Sequence, residues 1–132
     1  MAIVLDTCAW IWLCTKPEKL SAAANDVIRR ERRREGLVLS IISCWEVAKL
    51  VEKKKLRFTI PCREWIDQAV REEGVTLHPL TPEICVESTE LPGAFHGDPA
   101  DQIIVATARL LGMPVLTSDR EIVDYPHVPT VW

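Results

Sequence analysis

The amino-acid sequence predicts an α/β fold with a mostly parallel central sheet of four to five strands. Short runs rich in branched aliphatic residues alternate with longer segments of helical periodicity, which is typical of repeated β–α units. The chain has 132 residues, 48% hydrophobic and 27% charged, which suits one soluble globular domain spanning residues 1–132. No linker, repeat or low-complexity segment interrupts the pattern.

In the N-terminal half, the expected elements are a strand at 3–5, helices at 7–13 and 21–35, a strand at 37–40 and a helix that continues through Val51. Ser21 is a favourable N-cap, and Gly36 is a typical residue to close the second helix. Ser43 and Glu46 have the spacing of a capping box, in which the two side chains bond each other's backbone N–H groups. We therefore expect the third helix to begin at Ser43.

In the C-terminal half, the expected elements are a helix at 61–74, a strand at 75–78, a helix at 81–89, a loop at 91–97, a helix at 98–112, and strands at 115–117 and 128–131. Asp98 as N-cap and Pro99 at the first helical position form a strong helix start, and Gly112 ends that helix. The last strand is expected at an edge of the sheet.

Composition limits the cellular setting. No apolar stretch approaches the roughly 20 residues of a membrane span, and the N-terminus lacks the basic region of a signal peptide. The five cysteines are odd in number and form no C-x-x-C pair, which disfavours a disulfide framework or a zinc site. We expect buried thiols in a reducing compartment, with the cytoplasm as the default.

Acidic residues recur where predicted strands end or predicted helices begin. Asp6 and Asp119 follow strands, and Glu46 and Asp101 lie at helix starts. In a parallel α/β sheet these positions share one edge, where ligands bind. Carboxylates crowded there repel one another unless a divalent cation lies between them. The pattern therefore predicts a Mg²⁺ or Mn²⁺ site.

Each acid also has a local explanation. Glu46 would fit a capping box, Asp98 and Asp101 a helix start, and Asp119 a turn or a cap. Asp6 is the hardest to explain locally, because a buried charge after a strand needs a metal or a hydrogen-bond network.

Basic residues cluster in two stretches, at 29–34 and 49–57, although the net charge is −3. Interleaved glutamates are compatible with two solvated helix faces. The alternative is a rim that holds RNA phosphates around the acids, with Arg29, Arg30 and Arg33 as candidates. Of the five tryptophans, Trp10 and Trp45 are candidates to stack an RNA base, with core packing as the alternative.

The sequence resembles the PIN-domain family, in particular the VapC-like toxins of toxin–antitoxin pairs. The resemblance covers the whole chain and rests on Asp6-Thr7, on the segment 43–48, on His96–Ala108 with its Asp-Pro-x-Asp helix start, and on the segment 116–119.

This resemblance implies a three-layer α/β/α Rossmann-like fold and hydrolysis of RNA phosphodiester bonds with Mg²⁺ or Mn²⁺. Asp6, Glu46, Asp101 and Asp119 match the family's acidic quartet, and Asp98 resembles an additional nearby acid. We expect Asp6 and Asp101 to hold a principal metal, with Glu46 and Asp119 coordinating directly or through water; one and two metals both stay open.

Thr7, Ser43 and Ser118 are candidates to orient these acids, with caps and turns as the alternative. One departure from the family's pattern is Gln102, where the Asp-Pro-x-Asp subgroup often has Arg; Arg120 is a candidate replacement for that cation. The resemblance also implies a homodimer and a cognate antitoxin.

Other functions fit less well. A haloacid dehalogenase needs a second Asp two residues after the first, where Cys8 stands, and a receiver domain needs adjacent acids after strand one. A metal-free ribonuclease would need paired histidines, but the chain has only His78, His96 and His127. The main alternative is a PIN-like module that binds RNA or a protein without catalysis.

Overall fold

Five parallel strands form the centre of the structure, a computed structural model that describes residues 2–132. The elements are β1 (Ile3–Leu5), α1 (Thr7–Thr15), α2 (Ala22–Arg32), β2 (Leu37–Ser40), α3 (Ile41–Glu52), α4 (Cys62–Glu73), β3 (Val75–His78), α5 (Pro82–Thr89), α6 (Pro99–Leu111), β4 (Val115–Leu116), α7 (Arg120–Val123) and β5 (Thr130–Val131). A single 3₁₀ turn, Pro17–Lys19, joins α1 to α2.

The strand order is β3-β2-β1-β4-β5, and every pairing is parallel. From β1 the chain builds β2 and β3 on one side and returns later to add β4 and β5 on the other. The strand order therefore reverses between β1 and β4. In open α/β sheets, ligands bind outside the carboxyl ends of the strands at such a reversal.

Alternate residues of β1 enter two different cores. Ile3 and Leu5 pack with Leu37 and residues of α1 to α4, whereas Val4 packs on the other face with residues of α6 and α7. Successive side chains of a strand point to opposite faces, so a sheet covered by helices on both sides needs apolar residues at every position. The expected three-layer α/β/α architecture is confirmed.

The element predictions are confirmed for β1, β2, β3, α5 and α6, and most other differences lie at the ends of elements. Helix α2 ends at Arg32 instead of 35, because the chain tightens into i→i+3 bonds before Gly36, whose φ is +99°. Strands β4 and β5 are two residues each, shorter than expected.

The predicted capping box at Ser43 and Glu46 is wrong. Helix α3 begins at Ile41, directly after β2, and Ser40 is its N-cap, accepting a hydrogen bond from the backbone N–H of Ile42 at 3.2 Å. Ser43 and Glu46 lie inside the helix, so both side chains are free to make tertiary contacts.

None of the helices in the described part of the chain combines the length and the apolar character that crossing a bilayer requires.

Candidate active site

Asp6 lies at the carboxyl end of β1 and caps α1. One carboxylate oxygen accepts the backbone N–H of Ala9 at 2.7 Å, and the other accepts the hydroxyl of Thr117. The residue is only 5% exposed. Burial raises the pKa of Asp6 to about 6, with a smaller upward contribution from Asp119, although both hydrogen bonds oppose the shift. A charge at this position is held in a hydrogen-bond network but is not neutralised.

Glu46 faces α1 from the second turn of α3. Its carboxylate accepts the hydroxyl of Thr7, and that hydroxyl lies 2.9 Å from the buried hydroxyl of Ser43. Burial raises the pKa of Glu46, and the negative charges of Asp98 and Asp6 add to the shift. Thr7 of α1 thus contacts Glu46 of α3 directly, whereas Ser43 bonds Thr7.

Asp98 and Asp101 open α6. Asp98 is the N-cap, accepting the backbone N–H groups of Ala100 at 2.9 Å and Asp101 at 3.3 Å. Burial, and then the charges of Asp98, Asp119, Glu46 and Asp6 in that order, raise the pKa of Asp101 to about 7. The acids at this edge are therefore close enough to repel one another.

His96 is the neighbour of Asp101 that the sequence did not single out. Its Nε2 atom lies 3.0 Å from Oδ2 of Asp101, but the two are not aligned for a hydrogen bond, and this nitrogen makes no other within residues 2–132. The backbone carbonyl of His96 accepts the side-chain amide of Gln102 at 3.0 Å. His96 thus lies beside Asp101 and also holds the side chain of Gln102, the residue at which the sequence departs from the family's pattern.

Asp119 follows β4 and caps the short helix α7, accepting the backbone N–H of Glu121 at 2.9 Å. The hydroxyl that reaches the acids from this segment is that of Thr117, which donates to Asp6 and accepts the backbone N–H of Asp119 at 3.0 Å. Ser118, the expected candidate, makes no hydrogen bond to an acid in the described chain. Arg120 is 80% exposed and lies 3.4 Å from Asp124, and within residues 2–132 it forms no ion pair with Asp6, Glu46, Asp101 or Asp119.

The four acids lie in one region around the thiol of Cys8. Burial raises its pKa to about 11, and Asp6, Glu46, Asp119 and Asp101 all contribute to the rise. Across residues 2–132, no lysine or arginine forms an ion pair with these four acids, and no three His, Cys, Asp or Glu side chains converge as ready-made metal ligands. Negative charge is thus concentrated at this edge, and no lysine or arginine in the described part of the chain balances it.

Arg29, Arg30 and Arg33 lie at the other end of the sheet. They come at the C-terminal end of α2, which leads into the start of β2, and Arg30 shares a surface depression with Ile3 and Pro114 at the starts of β1 and β4. The predicted rim around the acids is therefore not formed by this cluster. A helix that precedes a parallel strand must end at the strand's amino edge, and this rule could have located the cluster from sequence.

A family model of the PIN domain matches residues 3–128 of the chain. The chain belongs to the PIN domain family. Ribonuclease VapC22 of Mycobacterium tuberculosis is 33% identical to this PIN domain over 98% of each sequence. The predicted family is confirmed.

Solved structures agree with this assignment. VapBC2 of Rickettsia felis, crystallised with a DNA fragment from its promoter, matches with a TM-score of 0.73 at 13% identity, over 98% of this chain and 97% of that chain. A toxin–antitoxin complex from Klebsiella pneumoniae matches with a TM-score of 0.60 at 20% identity, over 96% and 94%. At these identities the structures establish the fold. Ribonucleases with a PIN domain generally use a divalent metal ion.

Proposed function

We propose that this PIN domain is an endoribonuclease that hydrolyses RNA phosphodiester bonds with Mg²⁺ or Mn²⁺, acting as a single domain over residues 1–132 and as the toxin of a VapC-like pair. The observation that carries the proposal is the group of carboxylates at the reversal of strand order, whose charge no lysine or arginine among residues 2–132 balances. The 33% identity to a protein named as a ribonuclease, over nearly the full chain, supports the same reaction.

The donor set suits a hard divalent cation, which prefers oxygen ligands. Mg²⁺ keeps several waters and binds through one or two carboxylates, so it does not need a cage of three protein ligands. We assign Asp6 and Asp101 as the principal ligands. Glu46, Asp119 and Asp98 would contact the ion directly or through water.

The bound ion would supply a Lewis acid that acidifies the attacking water and offsets charge on the phosphate oxygens. The side chains of this protein hold the acids in place for that task. Thr117 and the N–H of Ala9 fix both oxygens of Asp6, and Thr7 fixes Glu46. Such supporting hydrogen bonds typically contribute about ten- to hundredfold to metal affinity or activity.

Cleavage of RNA by purified protein in Mg²⁺, in Mn²⁺ and in EDTA tests the proposal. We expect cleavage with either metal and none in EDTA, and we expect Asp6→Asn to be inactive but folded. Equal cleavage in EDTA, or by the Asn variant, would exclude the mechanism.

A PIN module that only binds RNA or protein would retain no need for a divalent ion. Calorimetric titration with Mn²⁺ separates the two functions, because the enzyme should bind the ion with an affinity that Asp6→Asn reduces. Absence of binding by the unaltered protein, together with RNA binding, would favour the inactive module.

The toxin role includes a protein partner, a homodimer and a cytoplasmic location. The Klebsiella pneumoniae neighbour is a toxin–antitoxin complex, which supports a cognate antitoxin here. The five free cysteines suit a reducing compartment, although the expectation that they are buried is wrong for Cys8 and Cys85, which are exposed. Expression of this protein alone should arrest cell growth, and Asp6→Asn should relieve the arrest. Unimpaired growth would contradict the toxin role.

Sedimentation should give the mass of a dimer. A monomer mass at micromolar concentration would contradict the homodimer.

A further inference from the structure

A groove of about 330 Å³ runs beside the acidic edge. One wall is α3 with the turn that follows it, and the other is the start of α6. Glu46 and Asp98 lie at the end of the groove that meets the acids. The side chains that line the rest include Trp45, Lys49, Lys53 and Lys55. The groove is thus continuous with the candidate active site but basic and aromatic in character.

Trp45 is the exposed tryptophan of this protein. Its side chain is 54% exposed, whereas Trp10 is fully buried and packs on Trp65 with a ring-centroid distance of 5.4 Å. Trp12 and Trp132 pack against each other at 5.8 Å. Of the two tryptophans proposed from sequence to stack a base, only Trp45 has a ring that a ligand can reach.

Two lysines that line the groove come after Trp45 in the chain at intervals of one helical turn. Lys49 lies one turn after Trp45 on α3, and Lys53 is the C-cap of the helix one turn later. The amine of Lys49 lies 5.9 Å from the Trp45 ring centroid. Lys49 also pairs with Glu52 at 2.9 Å, but Lys53 and Lys55 form no ion pair within residues 2–132. These two amines are available to a ligand.

The backbone after α3 adopts an unusual conformation that brings Lys55 to the groove. Lys54 has a φ of +60°, in the left-handed region that glycine normally occupies. The turn is held by bonds from the N–H of Lys54 to the carbonyl of Val51 at 3.0 Å and from the N–H of Lys55 to that of Leu50 at 2.9 Å. Both lysines that flank Lys54 line the groove.

An aromatic face beside unpaired amines has the chemistry that binds a single-stranded nucleic acid, in which bases stack and phosphates meet cations. We propose that Trp45 stacks a base of the RNA strand next to the bond that is cut and that Lys53 and Lys55 hold the phosphates beyond it. This proposal rests on the proposed function, since it names the subsite through which RNA enters the acidic edge. An apolar protein segment would leave the lysines without partners, so RNA is the better match.

Steady-state cleavage of a short unstructured RNA by Trp45→Ala and Trp45→Phe tests the proposed stacking of a base on Trp45, which we call the platform. Stacking of one base typically contributes about five- to hundredfold to binding, so Trp45→Ala should raise KM by that factor. The value of kcat should change less than about threefold, and Trp45→Phe should restore most of the affinity because it keeps an aromatic face. Val86→Ala is the matched control, since Val86 is equally exposed, at 55%, on α5 outside the groove.

The lysines have their own readout. The slope of log binding affinity against log salt concentration becomes shallower by about 0.7 for each phosphate of a single strand that the protein no longer neutralises. Combined Lys53→Ala and Lys55→Ala substitutions should therefore lower this slope by about 1.4. The matched control is Arg34→Ala with Arg71→Ala, which removes the same charge from exposed positions near the ends of helices that lead into strands.

The platform and the ribonuclease can fail separately. If the unaltered protein cleaves RNA and Trp45→Ala has an unchanged KM, the platform is wrong and the ribonuclease stands. If no RNA is cleaved, anisotropy of the same labelled RNA in EDTA still decides, because equal affinity of the unaltered protein and Trp45→Ala would overturn the platform. If the combined Lys53→Ala and Lys55→Ala variant has an unchanged salt slope, the proposed phosphate contacts are wrong. If that variant loses antitoxin binding but keeps RNA binding, the groove binds the protein partner instead.

Discussion

The two edges of the sheet carry opposite charge and balance it differently. At the amino edge, the arginines of α2 find acids nearby: Arg32 lies 2.7 Å from Glu73, and Arg29 lies 3.3 Å from Asp26. At the carboxyl edge, burial and mutual repulsion raise the pKa values of Asp6 and Asp101, with no lysine or arginine paired to either across residues 2–132. Exposed pairs such as those of α2 contribute about 0–1 kcal/mol to stability. The comparison teaches that charge the protein leaves unbalanced is a better guide to a site than charge alone.

Removal of one charge from the carboxyl edge should have the largest effect. We expect Asp6→Asn to lower RNA cleavage by about a thousandfold or more, because the proposed ion would contribute several kcal/mol to the transition state and each 1.36 kcal/mol is tenfold. Asn still caps a helix, so folding should persist, whereas Asp6→Ala should cost about 1 kcal/mol of stability in addition. Asp26→Asn makes the same change at the amino edge and should leave the rate unaltered. A similar loss in both Asn variants would contradict the distinction between the edges.

The second effect concerns stability without metal. The pKa of Asp6 is about 6 in the folded protein against 3.8 ordinarily, so between these pH values the folded state binds more protons than the unfolded state. The contribution of Asp6 to stability should therefore fall as pH rises from about 4 to 6 and then level off, a loss of about 3 kcal/mol at 1.36 kcal/mol per pKa unit. In urea unfolding with EDTA, the free energy of unfolding of Asp6→Asn should exceed that of the unaltered protein by this amount near pH 7, and the two should be equal near pH 4. A constant difference across this range would show that Asp6 ionises normally, and Mg²⁺ should reduce the difference.

Loss of a supporting hydroxyl should have a smaller effect on cleavage. Thr117→Val keeps the shape of the side chain but removes the donor to Asp6, and we expect activity or metal affinity to fall about ten- to hundredfold. Thr117→Ser should retain most of both. Thr107→Val is the control, since Thr107 is also buried but bonds the carbonyl of Ile103 in its own helix. Equal losses at both threonines would indicate general destabilisation.

The smallest effect is expected at the amino edge. Combined Arg29→Ala and Arg33→Ala substitutions remove two cations far from the acids, so KM for RNA should change less than about twofold and the salt slope of binding should stay constant. A slope lowered by about 1.4 would mean that RNA reaches across to this edge after all.

Local patterns in the sequence predicted much of the fold. The Asp98-Pro99 start and the Gly112 end of α6 are set by neighbouring residues, and both were located correctly. The start of α3 was misplaced because Ser43 matched a local motif, whereas the chain turns into the helix directly from β2 at Ser40. A local motif has little weight when the preceding strand already supplies a cap.

The candidate site was predicted in part. The sequence placed the acids on one edge because strand ends and helix starts share it, but the partners of those acids lie far away along the chain. Thr117 is 111 residues from Asp6, and no spacing rule joins them. A Thr at the end of a buried strand beside β1 was the only available signal. His96 could have been noticed as a ring two residues before the Asp98 cap.

Three acids of this edge, Asp6, Asp98 and Asp119, each accept a backbone N–H at the first turn of a different helix. Those N–H groups hold the carboxylates in place without an ion, so the site is already formed before an ion binds. Under the proposed mechanism, protein without the divalent ion would be folded but inactive. Chelation should accordingly silence the protein reversibly, and restoring the ion should bring activity back at the speed of binding, with no refolding step.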